Sequence, residues 1–369
     1  MSVSVSGSSI TFNDASTQTT AATGFGFKNR ILNGSMMIDQ RNAGASVTLT
    51  TLYNTYTLDR WVGTITQASK YSVQQNAGSV TPPAGFINYL GVTSLSSYSV
   101  ISSDVFSMTQ MIEGLNTTDL GWGAAGASTV TLSFWVRSSL TGTFGGSISN
   151  SAQDRSYPFS YTISSANTWE QKTITISGDT SGTWLKTSGI GIRVQFSLGV
   201  GSSSLGTVNT WNAGNYYAAS GATSVVGTNG ATFYLTGVQL EKGSTATSFD
   251  YRPYGTELQL CQRYYQLQNG LMGISAENTS NTLIVCSFGY KTQMRATPSA
   301  SQTGLIRMEV PYGAASSQSS ASVSVDTGTT NTGGAFVLNN FSGLTYARTY
   351  RQINISGADM NSIALSAEL

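Results

Sequence analysis

The chain has 369 residues, enough for two or three domains of roughly 100–200 residues each. Hydrophobic residues make up 39% and charged ones only 9%, against about 25% charged in ordinary soluble domains. Cores can therefore form, while a formal net charge of +1 argues against the basic patch of a nucleic-acid binder and the high net charge of a disordered chain. No run approaches the ~18 consecutive apolar residues of a spanning helix, so no membrane insertion is expected. An assembled β-protein fits this composition, with Ser and Thr on one strand face, Val, Ile and Phe on the other, and Gly, Asn and Asp in the turns.

Residues 1–26 are small and polar, with one short strand expected around Ser9-Ile-Thr-Phe12. The segment cannot build a core and reads as an extended arm ordered against a partner. Its start lacks a basic region and a long apolar stretch, so no secretory signal is expected.

Residues 27–254 repeat strand signals. In Val130–Val136 the apolar Val130, Leu132, Phe134 and Val136 share one face, while Thr131, Ser133, Trp135 and then Arg137 share the other. Ile190, Ile192, Val194, Phe196 and Leu198 alternate in the same way with Gly191, Arg193, Gln195 and Ser197. Lys172–Ser177 is a further strand of this kind. In Thr232–Leu240 the apolar parity switches at Gly237, from Phe233 and Leu235 to Val238 and Leu240, and predicts a bulge that returns both halves to the core. Strands at this spacing, joined by Gly/Ser/Asn loops without alternating helices, predict a jelly-roll sandwich. Trp61 and Trp169 read as core anchors.

A helical linker is expected at 255–270, where Leu258, Cys261 and Tyr265 share a helical stripe, Thr256 and Gln259 form a capping box, and Asn269-Gly270 stops the run. Strand character resumes at Leu283–Tyr290, Ala321–Val325, Phe336–Leu338 and Ile353–Ile355, which makes 271–369 a second, smaller β-domain. The fold class expected is all-β: an arm, a jelly-roll β-sandwich, a short helix and a smaller β-domain.

The chain has no histidine, which removes the commonest general base, the His-containing triads and the commonest metal ligand. Its two cysteines, Cys261 and Cys286, make no disulfide framework and are expected as buried free thiols of a chain assembled in a reducing cytoplasm. Seventeen acidic residues are spread thinly, and none forms an evident acid/base couple. Asp59 beside Arg60, and Asp250 two before Arg252, are expected as structural ion pairs; Glu113 is also structural and Asp154 solvated. Gly121–Gly126 lacks the ending of a phosphate loop. No enzyme, cofactor or metal is expected.

Aromatic residues are better candidates for function. A neutral sugar is bound by flat apolar faces against its C–H surfaces, with hydroxyl, amide or guanidinium groups for its hydroxyls. Residues in loops or on polar strand faces that suit this are Trp122, Arg155, Tyr157, Trp184, Trp211, Tyr216 and Tyr217.

Several phrases occur together in order: Phe27-Lys-Asn-Arg-Ile-Leu-Asn-Gly34, Ile38-Asp-Gln-Arg-Asn42, Tyr56-Thr-Leu-Asp-Arg-Trp61, Ile112-Glu-Gly114, Thr131–Arg137, Thr236-Gly-Val-Gln-Leu-Glu241, Arg252-Pro-Tyr-Gly-Thr-Glu257 and Leu260-Cys-Gln-Arg-Tyr-Tyr265. From residue 27 onward the chain resembles a phage tail-fibre and virion structural family, and its central region resembles carbohydrate-binding-module jelly rolls. The resemblance implies a homotrimer in the virion, attached to other tail or capsid proteins through the arm. It also implies recognition of host surface polysaccharide without catalysis. A head fibre, capsid decoration or tail connector with a purely structural role is the alternative it leaves.

Overall fold

The computed structural model describes residues 27–269, 275–278, 280, 282–302, 306–309, 318–320, 322–339, 349–353 and 362–369, together with residues 4–6, 9–11 and 17–18. In the arm, β1 (Ser4–Ser6), β2 (Ser9–Thr11) and β3 (Thr17–Gln18) pair antiparallel in that order. The strand expected at 9–12 is β2; Phe12 and the rest of the arm lie outside the described residues.

The sandwich comprises β4 (Val47–Thr48), β5 (Tyr53–Tyr56), β6 (Trp61–Ile65), β7 (Tyr71–Gln75), β8 (Leu90–Ser94), β9 (Val105–Glu113), β10 (Val130–Ser138), β11 (Gly142–Ser149), β12 (Arg155–Ile163), β13 (Glu170–Ile176), β14 (Ile190–Val200), β15 (Asn212–Ala213) and β16 (Thr232–Lys242). The first sheet runs β13-β10-β16-β8-β7-β4 and the second β15-β12-β11-β14-β9-β6-β5, with antiparallel pairing. The chain crosses repeatedly from one sheet to the other, which is the jelly-roll pattern.

Alternation decides which side chains fill the space between the sheets. Val130, Leu132, Phe134 and Val136 of β10 face Ile192, Val194, Phe196 and Leu198 of β14, all buried. Phe134 meets Phe196 edge-on at 5.0 Å. Trp61 is fully buried, and its Nε1 donates to the Asn33 carbonyl at 3.2 Å. The expected bulge is at Gly237, whose φ is +59°, and the β10–β16 register slips between Ser133 and Trp135. Phe233, Leu235, Val238 and Leu240 all reach the core as a result.

Helix α1 covers Tyr254–Gln262 and starts behind Pro253, without a side-chain cap. Thr256 is thus inside the first turn rather than capping it, and the expected capping box is not made. The helix is also shorter than expected, because Tyr265 enters a strand. The remaining elements are β17 (Tyr265–Asn269), β18 (Ser275–Asn278), β19 (Ile284–Gly289), β20 (Ser299–Gln302), β21 (Ile306–Glu309), β22 (Gln318–Ser320), β23 (Ser322–Val325), β24 (Gly333–Asn339), β25 (Thr349–Ile353) and β26 (Ser362–Ser366). They form a sheet β17-β26-β20 and a sheet β22-β21-β25-β18-β19-β24-β23. Ile284, Cys286, Met294, Phe336, Leu338, Ile363 and Leu365 make a separate core. Of the strand expected at 353–355, Ile353 ends β25 and the other two residues lie outside the described ones.

Both cysteines are buried and free, and burial pushes the Cys286 thiol up to about 12.

A polar junction ties this second region to the sandwich. Glu368 accepts from Arg41 at 2.6 Å and from Arg60, whose Nη2 also donates to the Met111 carbonyl. Arg263 forks onto Glu113 at 3.0 and 2.7 Å, and Tyr264 Oη donates to the same carboxylate. Arg295 donates to the carbonyls of Ala367, Glu368 and Ser188.

Two expected ion pairs are therefore corrected. Asp59 does not pair with Arg60: it accepts from Gln40 N at 2.6 Å and Gln40 Nε2 at 2.8 Å, while Arg60 turns to Glu368. Arg60 has φ +69°, and this reversal sends the two adjacent side chains apart. Asp250 accepts from Asn29 N, whereas Arg252 pairs with Glu257 at 3.0 Å. Helix α1 brings Glu257 back over Arg252, a proximity that sequence adjacency does not show.

Candidate functional site

Five of the seven sequence candidates gather at one edge of the sandwich. The Trp122 and Trp184 ring centroids are 4.7 Å apart, and Trp211 lies 5.4 and 5.3 Å from them, all edge-on. Tyr157 meets Trp211 at 5.3 Å, and the Arg155 guanidinium is 6.0 Å from the same ring. Each indole N–H is satisfied, by the carbonyls of Ser128, Ser181 and Ser177. Arg155 forks onto Asp179 at 2.8 and 2.7 Å. Burial opposes ionisation of Asp179, but the Arg155 fork and the Ser181 N–H outweigh it and hold the carboxyl below its usual range.

This cluster closes on itself. Trp122 is 4% exposed and Trp184 8%, so neither offers an open ring face to a sugar. Trp211 stays half-buried. What the edge provides is packing between the sheets, with edge-on geometry that adds to burial.

Tyr216 and Tyr217 lie elsewhere, over the outer face of the second sheet. Tyr216 packs on Gly206 and Gly214, and Gly206 in turn lies against Pro158 of β12. Tyr217 receives a hydrogen bond from Gln153 Nε2 at 3.1 Å, and Ala218 sits over Gly145. The face beneath is read from the register. One cross-strand row is Ser156, Ser149, Arg193, Met111; the next is Pro158, Ser147, Gln195, Thr109, Val62, Tyr56. Ser147 Oγ donates to Gln195 Oε1 at 2.6 Å. The floor is buried, while Arg193 and Tyr56 keep contact with solvent.

The outer face of the first sheet is aromatic. Phe86, Phe249 and Tyr251 form a triangle with centroids 4.9–5.6 Å apart. Tyr251 is 57% exposed, and Phe86 and Phe249 are half-buried. A Cβ at Gly237 would meet both Phe86 and Trp135, so the bulge in β16 is what lets these two rings approach. Tyr89, Tyr234 and Trp169 continue the patch, and the Arg137 guanidinium lies 5.4 Å from the Tyr234 ring. Trp169 thus stands outside the core where it was expected as an anchor; its Nε1 donates to the Thr81 carbonyl. The sequence signal for this face was present in Trp135 and Arg137, on the polar side of an alternating strand. Phe86, Phe249 and Tyr251 join it only through the fold.

Among the described residues no three of Cys, Asp and Glu gather as metal ligands. No family model matches the chain, and neither does any curated protein. Among solved structures it is similar to the enzymatically active domain of a tailspike protein of bacteriophage CBA120, at 12% identity and TM-score 0.30, over 58% of this chain and 22% of that one. The chain therefore spans about a fifth of that domain. It is also similar to a family 11 carbohydrate-binding module from Clostridium thermocellum, solved with a β-1,3-1,4-mixed-linked tetrasaccharide, at 12% identity and TM-score 0.27, over 56% and 100%. A tandem of two carbohydrate-binding modules from Paenibacillus barcinonensis aligns at 9% identity and TM-score 0.24, over 90% and 100%. These are distant likenesses, and they assign no family.

Proposed function

We propose that the chain is a non-catalytic glycan-binding protein of a phage particle, a tail fibre or receptor-binding protein that holds host surface polysaccharide. The observation that carries the binding part is the aromatic outer face of the first sheet. Tyr251 is largely exposed and Phe86, Trp135 and Phe249 are half-buried, so they offer apolar ring area to water, and the half-buried Arg137 follows Trp135 on the same face of β10; a sugar's C–H surface and hydroxyls require such a combination. The virion part rests on the ordered motifs of the sequence. In a homotrimer, weak single sites gain strength from multivalency.

The test is a glycan array that includes bacterial lipopolysaccharide and capsule fragments, read for the wild type and for Tyr251→Ala and Trp135→Ala. Binding that falls at least ~10-fold in both variants, with circular dichroism unchanged, supports the reading. A wild type that binds no glycan, on phage whose adsorption is unaffected by antibody to this chain, sinks it.

The second reading, a head fibre, decoration or connector, is favoured by the exposed Phe27, Ile87 and Tyr254, which add apolar area suited to a protein neighbour. Recovery of the chain in purified heads without tails selects this second reading.

A further inference from the structure

The loop Pro82-Pro83-Ala84-Gly85-Phe86-Ile87 carries no side-chain hydrogen-bonding group. It is anchored on the first sheet at both ends. Trp169 Nε1, just before β13, donates to the Thr81 carbonyl, and Thr236 Oγ1 of β16 donates to the Asn88 carbonyl at 2.7 Å. Phe86 N closes a turn on the Pro83 carbonyl, and the Phe86 ring lies against Phe249 and Tyr251. Ile87, next to it, is 71% exposed. An aliphatic side chain held out to water by a fixed loop is apolar area offered to a binding partner.

The polar groups that flank this loop are used within the protein. Asn88 Oδ1 accepts from Asn76, and Asp250 accepts from Asn29 N. Gln239 and Thr247 both donate to Glu241. Further along the same face the character changes. Gln171 stands opposite Trp135 and Thr173 opposite Ser133, and both are exposed. The face thus has an apolar end at Ile87 and Tyr251 and an amide- and hydroxyl-bearing end at Gln171 and Thr173.

A sugar hydroxyl turned toward the apolar end gives up water without gaining a partner, which is unfavourable. A methyl group there gains by leaving water. A protein partner would suit the apolar end alone, whereas the exposed amide and hydroxyl beyond Trp135 fit the hydroxyls of further sugar units.

We propose that this face binds a saccharide whose unit at the 82–87 loop carries a methyl group, either the C6 methyl of a 6-deoxyhexose or the methyl of an N-acetyl group, with Ile87 as the residue that selects it. This rests on the glycan-binding reading and deepens it. Trp135 and Tyr251 hold sugar rings of any kind, and Ile87 sets the preference among them.

The experiment is calorimetric titration of the full chain with two pairs of sugars, accompanied by saturation-transfer NMR. Triacetylchitotriose differs from cellotriose by an N-acetyl in place of a hydroxyl on each unit, and L-rhamnose differs from L-mannose by the missing C6 hydroxyl. In at least one pair the methyl-bearing sugar is expected to bind at least ~4-fold tighter, the gain from burying one methyl, with saturation transfer strongest at its methyl protons. Which pair shows the preference distinguishes the two sources of the methyl. Ile87→Ser brings the preferred sugar down to the affinity of its counterpart, while Tyr251→Ala weakens both members of the pair.

Equal affinity within both pairs, or a preference unchanged in Ile87→Ser, overturns the inference; if that equal binding is lost in Tyr251→Ala, the broader reading stands. Binding of none of the four sugars also overturns it, and the glycan array then decides the broader reading. A fall in the molecular mass of the assembly on Ile87→Ser, read by light scattering, identifies the loop as a contact between protein chains and likewise overturns it. Ile87 is exposed, so the thermal melt of Ile87→Ser is expected to match the wild type, and the lost preference is then not lost folding.

Discussion

Asp59 offers a quantitative test of the junction. It is fully buried, and burial pushes its pKa up from 3.8 to about 6, with Arg41 and the two Gln40 hydrogen bonds pulling the other way and Glu368 adding to the rise. The unfolded chain titrates this group near its ordinary value. Between the two values the folded state therefore holds the extra proton, and stability rises as pH falls through that window. A rise of about two pKa units corresponds to about 3 kcal/mol, absent above pH ~6 and complete below pH ~4.

Asp59→Asn removes the titration. Asn keeps an acceptor for Gln40 N, but its amide group faces Gln40 Nε2, and turning Gln40 over sacrifices the bond to the Tyr265 carbonyl, a loss of about 1 kcal/mol. The variant is expected to be about 2 kcal/mol more stable than wild type at pH 7 and to lose that advantage toward pH 4. Urea denaturation from pH 4 to 8 measures both curves. Wild type and variant with the same slope between pH 4 and 7 would refute the reasoning, since the slope belongs to this carboxyl. Asp104 and Asp179, held below their usual range, work in the opposite direction: their contribution is present at neutral pH and is lost only as pH falls below ~4.

Glu368→Gln leaves the 1%-exposed Arg60 without its carboxylate and is expected to cost about 3–5 kcal/mol, seen as faster hydrogen exchange in β20 and β26. Gly237→Ala places a side chain at φ +59° with its Cβ 2.6 Å from Phe86 Cζ; a loss of about 1–3 kcal/mol and weaker glycan binding at the aromatic face are expected by thermal melt and array. Trp122→Ala opens the tryptophan cluster and should cost about 3–5 kcal/mol in denaturant, while glycan affinity of the folded protein is unchanged.

The core strands were legible because alternation is a local property: a residue's face follows from parity alone. The Gly237 bulge was legible for the same reason, since the parity switch is itself the signal. Function was harder to read. Loop tryptophans looked available for a ligand, but Trp122 and Trp184 lie far apart in sequence, and only the folded edge shows that they cover each other. Arg193 stood in plain view as one outward residue of an alternating strand. That it lacks a carboxylate partner is relational, since the register sets the uncharged Ser149 of β11 and Met111 of β9 across from it. The ion pairs failed for the converse reason: adjacency in sequence suggested Asp59–Arg60, while the true partner of Arg60 is hundreds of residues away.

That separation has a consequence in time. Glu368 follows Arg60 by 308 residues, so at ~5–20 residues per second the ribosome supplies the acid about 15–60 s after the base. During that interval the sandwich strands can pair, but Arg60 would be buried without a counter-charge. The end of the sheet bearing Arg60, Met111 and Glu113 is therefore expected to remain open during synthesis. Loop closure over such a distance is slow, and the nascent sandwich has a delayed final step in which the second region docks and seals it.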